Sequence, residues 1–203
     1  MQTLNYSFRY LLKRRGNSLA RVLSLSLGVA VALLVFSYVG LNLSFNNFFP
    51  NKERVFQVWV KSPQFGMSEK QVRPFAPNIV TDIPQVEAAV HFEEVETVYG
   101  TTDNIMTATT LNTNSTLFDV LDFGVISGDP HRILSAEGAA GDEVMISERL
   151  AKKHFGEEDP LGKKLGSLVV AGVFVTPPVN QSIGDFDILR YLPYDKDDEI
   201  WTG

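Results

Sequence analysis

Residues 22–43 read VLSLSLGVAVALLVFSYVGLNL, twenty-two positions without a charge, sixteen of them apolar. At about 1.5 Å of rise per residue, a helix of that length reaches roughly 33 Å, against a bilayer hydrocarbon core of about 30 Å. Lipid offers no partner to an exposed peptide group, and a helix satisfies all of its own. The stretch predicts one N-terminal transmembrane helix. It divides the chain into a leading arm (1–21), the helix (22–43) and a large trailing domain (50–203).

Charge sets the orientation. Arg9, Lys13, Arg14, Arg15 and Arg21 precede the span with no acidic residue among them, and Lys and Arg are retained on the cytoplasmic side. The amino terminus is expected in the cytoplasm and residues from about 50 onward outside it. A cleavable signal peptide also begins basic and turns apolar, but its apolar core is about 7–15 residues long and ends in a small-residue site that this stretch lacks. In the arm, Leu4, Phe8, Leu11 and Leu12 recur at helical spacing. That pattern reads as an amphipathic helix on the cytoplasmic lipid surface, or else as a basic arm that only sets topology.

The trailing part is acidic. Five of the 18 basic residues precede residue 22, leaving 13 basic against 24 acidic groups beyond it. Nucleic-acid binding needs clustered Lys and Arg to replace counterions, so nucleic acid is not among the expected partners. The chain has no cysteine, which excludes disulfides, thiolate metal sites and cysteine nucleophiles.

Within the span, Ser24, Gly28, Ala32 and Gly40 fall on one helix face, interrupted by Phe36. Small residues let a second helix approach closely, so these four are candidate helix-packing positions against a helix that this chain does not supply. Tyr38, Phe45, Phe48 and Phe49 are candidate rings for the outer membrane interface, with Pro50 and Asn51 ending the helix.

The domain reads as mixed α/β. Residues 55–60 (VFQVWV) suit a buried strand, 77–83 a short helix, and 86–93 a half-buried strand with Val86, Ala88, Val90 and Phe92 on one face. Together these predict a β-α-β unit. Residues 97–113 read as strand and turn, 117–121 as one helical turn, 124–130 as a turn-rich connection and 136–141 as a surface loop. A strand at 144–146 leads into Ser147, a cap for a helix over 148–155. Strands at 168–175 and 183–192 close the domain.

Four blocks carry a resemblance: LSFNNFFPNKERVFQV (43–58), FAPNIVTDIPQVEAAV (75–90), VMISERLAKKHFGEEDPLGKKL (144–165) and VVAGVFVTPPVNQSIGDFDILRYL (169–192). In this order, after one apolar helix, they resemble the amino-terminal part of MacB/FtsX-type ABC transporter permeases. That part comprises a first transmembrane helix and a MacB-like periplasmic core domain, so the resemblance implies a single-pass chain in the inner (plasma) membrane with its amino terminus cytoplasmic and its main domain in the periplasm. The third block is the most specific, with its Ser-Glu-x-Leu-Ala helix, Phe-Gly and Pro-Leu-Gly-Lys turn. The resemblance implies an α+β fold of two lobes, with residues 55–92 and 168–192 in the first and roughly 97–155 in the second. It also implies three further transmembrane helices and a cytoplasmic coupling loop, absent from these 203 residues, so the chain is expected to be a truncated permease. At the helix exit the family usually carries acidic residues where this chain has Asn42 and Asn46.

No enzyme chemistry emerges. Residues 156–164 (GEEDPLGKK) miss a phosphate-binding loop, having five residues between the glycines and Lys164 where Ser or Thr belongs. His91, His131 and His154 lack metal-site pairing, the acidic clusters at 93–96, 157–159 and 195–199 lack a calcium-loop pattern, and Ser127 in GVISG is not a nucleophile elbow. No cofactor or metal is expected. The resemblance implies a permease subunit or fragment that carries conformational change from a separate cytoplasmic ABC ATPase to the outer domain. The work would be export or extraction of an envelope substrate, a peptide, macrolide-like drug or lipoprotein. Its partners would be the bilayer, that ATPase, and a second permease subunit or the missing helices. Two alternatives stay open: a stand-alone membrane-anchored interaction module without transport activity, and a membrane-tethered hydrolase.

Overall fold

The computed structural model describes residues 15–47, 49, 51–62, 66–68, 75–101, 104–122, 124–178 and 180–193, with backbone alone at 15–19, 100, 101, 104 and 105. The chain divides into two compact units, Met1–Phe45 and Asn46–Gly203. The amphipathic pattern of the arm falls on residues 2–15, all but the last outside the described residues.

Among the described residues the first unit contains one helix, α1 (Arg15–Leu43). Its segment Ala20–Leu43, whose most apolar 18 residues have a mean hydropathy of 2.3, is long and apolar enough to cross a membrane. Every side chain of that segment is exposed; a helix apolar all round, with no protein over it, is suited to lipid or to a helix bundle. It ends at Leu43, well before Pro50. There Asn42 Nδ2 donates to the Tyr38 carbonyl and the Ser44 hydroxyl to that of Leu41, each at 2.8 Å, satisfying carbonyls that the last turn leaves open.

The second unit is built on a sheet of seven strands: β3 (Glu93–Thr101), β4 (Asn104–Thr113), β5 (Val125–Ser127), β6 (Glu143–Ser147), β7 (Lys164–Leu165), β8 (Leu168–Phe174) and β9 (Ile188–Tyr191). Their order is β3-β4-β9-β6-β8-β5, with β7 paired to β8. The last strand in sequence, β9, runs between β4 and β6, parallel to one and antiparallel to the other. The sheet therefore joins both lobes that the resemblance implies, since it pairs residues 188–191 with 110–113 and 144–146.

Alternation along the central strands gives each face its own core. Leu111, Met145 and Leu189 point to a cluster with Phe174 and Phe186, covered by α3 (Thr116–Leu121) and α4 (Pro130–Ile133). Ala108, Val144, Ile146 and Ile188 point to a second cluster, covered by α6 (Glu148–Phe155) through Leu150. Strand β6 is buried on both faces, which is why its sequence reads as a continuous apolar run.

Several expectations change. The β-α-β unit exists, but as β6-α6-β8, whose strands run parallel, and not over residues 55–93. Residues 55–59 form no strand; Val60 opens a small hairpin of β1 (Val60–Ser62) and β2 (Gly66–Ser68). Phe56 is 80 % exposed and Trp59 50 %. That run is apolar enough for a strand, yet the large sheet draws all its partners from residue 93 onward. Residues 86–92 are not part of a strand; the His91 carbonyl accepts from the Thr113 hydroxyl at 3.0 Å, and the strand begins at Glu93. The helix expected at 77–83 is α2 (Phe75–Asp82). The presumed loop at 136–141 is a short helix, α5 (Ala136–Ala140), capped by the Ser135 hydroxyl on the Glu137 N–H at 3.2 Å. Its small residues hid it: Gly138 lies so close to the preceding turn that a Cβ would meet the Ile133 carbonyl oxygen at 2.0 Å.

Candidate coupling site

The expected helix-packing residues Ser24, Gly28, Ala32 and Gly40 are all exposed on α1. A Cβ added at Gly28 or Gly40 would meet nothing within 4 Å. Ser24 satisfies its hydroxyl on the Ala20 carbonyl at 2.8 Å, so the face is small and presents no unsatisfied donor there. Of the four candidate interface rings, Tyr38 is 69 % and Phe45 48 % exposed, and Phe48 lies outside the described residues. Phe49 is corrected. It is 5 % exposed and sits in the domain core with Leu117, Ile183 and Phe186, where a ring cannot also lie among lipid headgroups.

A polar network joins the third and fourth sequence blocks. Strand β6 ends at Ser147, whose hydroxyl accepts the Leu150 N–H at 3.0 Å and so caps α6, as its position predicts. The same hydroxyl donates to Asp187 Oδ1 at 2.5 Å, and the Ser147 N–H donates to the Asp187 carbonyl at 2.8 Å. One turn along, Arg149 grips Asp185 with both terminal nitrogens, at 2.7 and 3.3 Å, and Asp187 through Nε at 3.0 Å. The hydrogen bond to Asp185, with the charge of Asp187, holds the guanidinium pKa above its usual value. A forked guanidinium against two carboxylates fixes direction as well as distance. The network is a mechanical joint between α6 and the 185–187 segment. Reading each block by itself misses Arg149, Asp185 and Asp187, because their partnership spans almost forty positions.

The histidines and the glycine-rich turn that the sequence singles out lie elsewhere in the domain. His131 Nε2 lies 3.7 Å from Asp119. His154 packs edge-on between Tyr99, at 5.7 Å between centroids, and Phe155, at 4.7 Å. Residues 156–164 form a turn whose Gly162, at φ 74°, donates to the Val170 carbonyl at 2.8 Å. Its Glu158 pairs with Lys163, which lowers the carboxyl pKa. Among the described residues no three His, Asp or Glu side chains gather into a metal-binding group; the acidic run at 195–199 lies outside them. Two open depressions lie on the described surface, one of about 130 Å³ beside Thr97 and Thr110 and one of about 280 Å³ along α2 at Phe75, Ile79 and Ile83.

A chain with one apolar helix and this mixed sheet can now be placed. It belongs to the family of MacB-like periplasmic core domains, whose model matches residues 18–201. Similar solved structures include a domain of a permease protein from Porphyromonas gingivalis, 28 % identical over 58 % of this chain and 51 % of that one, at a TM-score of 0.48. The periplasmic region of MacB from Actinobacillus actinomycetemcomitans is 17 % identical over 62 % and 57 %, at 0.43. The extracellular domain of the noncanonic ABC-type transporter YknZ from Gram-positive bacteria is 19 % identical over 66 % and 70 %, at 0.44. The chain thus spans 51 % and 57 % of the first two. No curated protein matches it. The family and the apolar helix together fit a membrane-anchored periplasmic domain.

Proposed function

We propose that this chain works as part of an ABC transporter permease of the inner membrane, passing conformational change between the membrane and a periplasmic domain. In this reading residues 1–21 are a cytoplasmic arm, 22–43 the first transmembrane helix and 50–203 the periplasmic core. A separate cytoplasmic ATPase drives the motion, and α1 rocks against helices of a second subunit or of sequence beyond these residues. The cargo is an envelope substrate of the peptide, macrolide-like or lipoprotein kind. The observation that carries this reading is a fully exposed apolar helix, with an open small-residue face, feeding directly into a domain of this family.

Because the chain has no cysteine, a single cysteine at Ala32 reports on what α1 meets in the membrane. Crosslinking to a permease helix, abolished by Gly28→Leu, is the expected result. Crosslinking that Gly28→Leu leaves unchanged contradicts the packing face, and the absence of any permease adduct contradicts the transport reading.

A further inference from the structure

The domain unit begins at Asn46, and that residue is tied to a turn far along the chain. Its N–H donates to the Asn180 carbonyl at 3.0 Å, its Oδ1 accepts the Ser182 N–H at 2.8 Å, and its Nδ2 reaches the Ser182 hydroxyl. Its backbone is left-handed, at φ 57°, a conformation that asparagine tolerates and most residues do not. Nearby, Phe49 enters the same core cluster as Ile183 and Phe186. The start of the domain is therefore held to the 180–186 segment by polar bonds at one residue and by apolar packing three residues later.

The segment it grips is itself stiffened and leads to the joint with α6. Gln181 is buried, and its Nε2 donates to the Gly184 carbonyl, closing the turn. Asp185 and Asp187 follow immediately and hold Arg149 and Ser147. The Asp187 N–H also donates to the Thr109 carbonyl on β4, at 2.9 Å. A continuous run of bonded groups thus leads from Asn46 to the first turn of α6 and to the centre of the sheet.

We infer that Asn46 is a positioning residue that delivers displacement of the chain at Phe45 into the 180–187 segment, and through Arg149 and Ser147 into α6. Without it, the tie between the start of the domain and that segment passes to the apolar packing of Phe49. This deepens the proposed function and rests on it for the motion of the helix. The side-chain chemistry also accounts for the amide at this position. Asn46 donates through Nδ2 as well as accepting through Oδ1, and a carboxylate does only the second.

Hydrogen exchange on the full chain in lipid nanodiscs tests the inference, comparing wild type with Asn46→Gly, which keeps the left-handed backbone but removes the side chain, and with Asn46→Asp, which keeps the acceptor. Native-state exchange reads local opening along such a path. Asn46→Gly should speed exchange of the Ser182 amide at least tenfold and also that of Asp187, Ser147 and Arg149, while Val144 and Val170 stay protected as wild type; Asn46→Asp should fall between. Faster exchange at Ser182 alone makes Asn46 a local cap and overturns the inference, as does unchanged exchange at Ser182. Loss of protection at Val144 and Val170 as well, in both variants, marks a global stability role and overturns it too. The readout does not depend on transport, so a failure here leaves the permease reading standing, and failure of the crosslinking experiment leaves this coupling standing.

Discussion

Ser147 and Asp187, forty positions apart, are bonded twice, through the backbone at 2.8 Å and through hydroxyl to carboxylate at 2.5 Å. The hydroxyl is fully buried and simultaneously caps α6. Ser147→Ala removes the cap and leaves a carboxylate oxygen with one bond fewer, at a cost of about 1–2 kcal/mol. Arg149→Leu should cost less, about 1 kcal/mol, because its ion pairs face solvent and are screened. Urea denaturation of the two variants checks the order; a larger loss for Arg149→Leu would contradict it.

Phe49 and Phe45 separate core from surface. Phe49→Ala empties a buried aromatic site and should destabilise the domain by about 3–5 kcal/mol, whereas Phe45→Ala, at a residue 48 % exposed, should leave its unfolding midpoint nearly unchanged. Equal effects in thermal unfolding would return Phe49 to the membrane interface.

The contrast shows what the sequence could and could not convey. The apolar helix was legible because hydrophobic length is a local property, and the 144–155 strand-cap-helix unit was legible because Ser147 and the periodicity of 148–155 act within a few residues. Phe49 was misplaced because its neighbours Ile183 and Phe186 come from the other end of the chain. Residues 55–60 misled for the same reason: an apolar run has the composition of a strand, but pairing depends on which strands reach the sheet. The Arg149 joint needs Asp185 and Asp187, so no window around residue 149 contains it.

Gly138→Ala tests the hidden helix α5. Its methyl group would meet the backbone of Ile133 at 2.0 Å, where no flexible side chain can give way. The change should cost at least about 2 kcal/mol by overpacking, although alanine is ordinarily the better helix former. A neutral or stabilising effect in denaturation would show that residues 136–141 are the surface loop that the composition implies.

Tyr99 gives the domain an alkaline limit. The ring is 4 % exposed, and its hydroxyl has no hydrogen-bond partner among the described residues. Burial, and then the charge of Asp187, raise its pKa above the usual value. A raised folded pKa means that the contribution to stability is complete below the unfolded value, near 10, and is lost as pH rises through the folded one. Tyr99→Phe should keep or slightly improve stability at pH 7 and flatten the decline above about pH 10. An unchanged decline would place the alkaline sensitivity elsewhere.

In the proposed topology residues 22–43 cross the membrane once and deliver the domain to the periplasm. Alkaline phosphatase, active only outside the cytoplasm, fused after Gly203 tests it most directly, with a cytoplasmic fluorescent reporter at the same position as its complement. The account predicts phosphatase activity in intact cells and a dark fluorescent fusion, both in the membrane fraction. A fluorescent, phosphatase-inactive pair would place the domain in the cytoplasm and contradict the permease reading, and phosphatase activity released in soluble form would contradict the anchor.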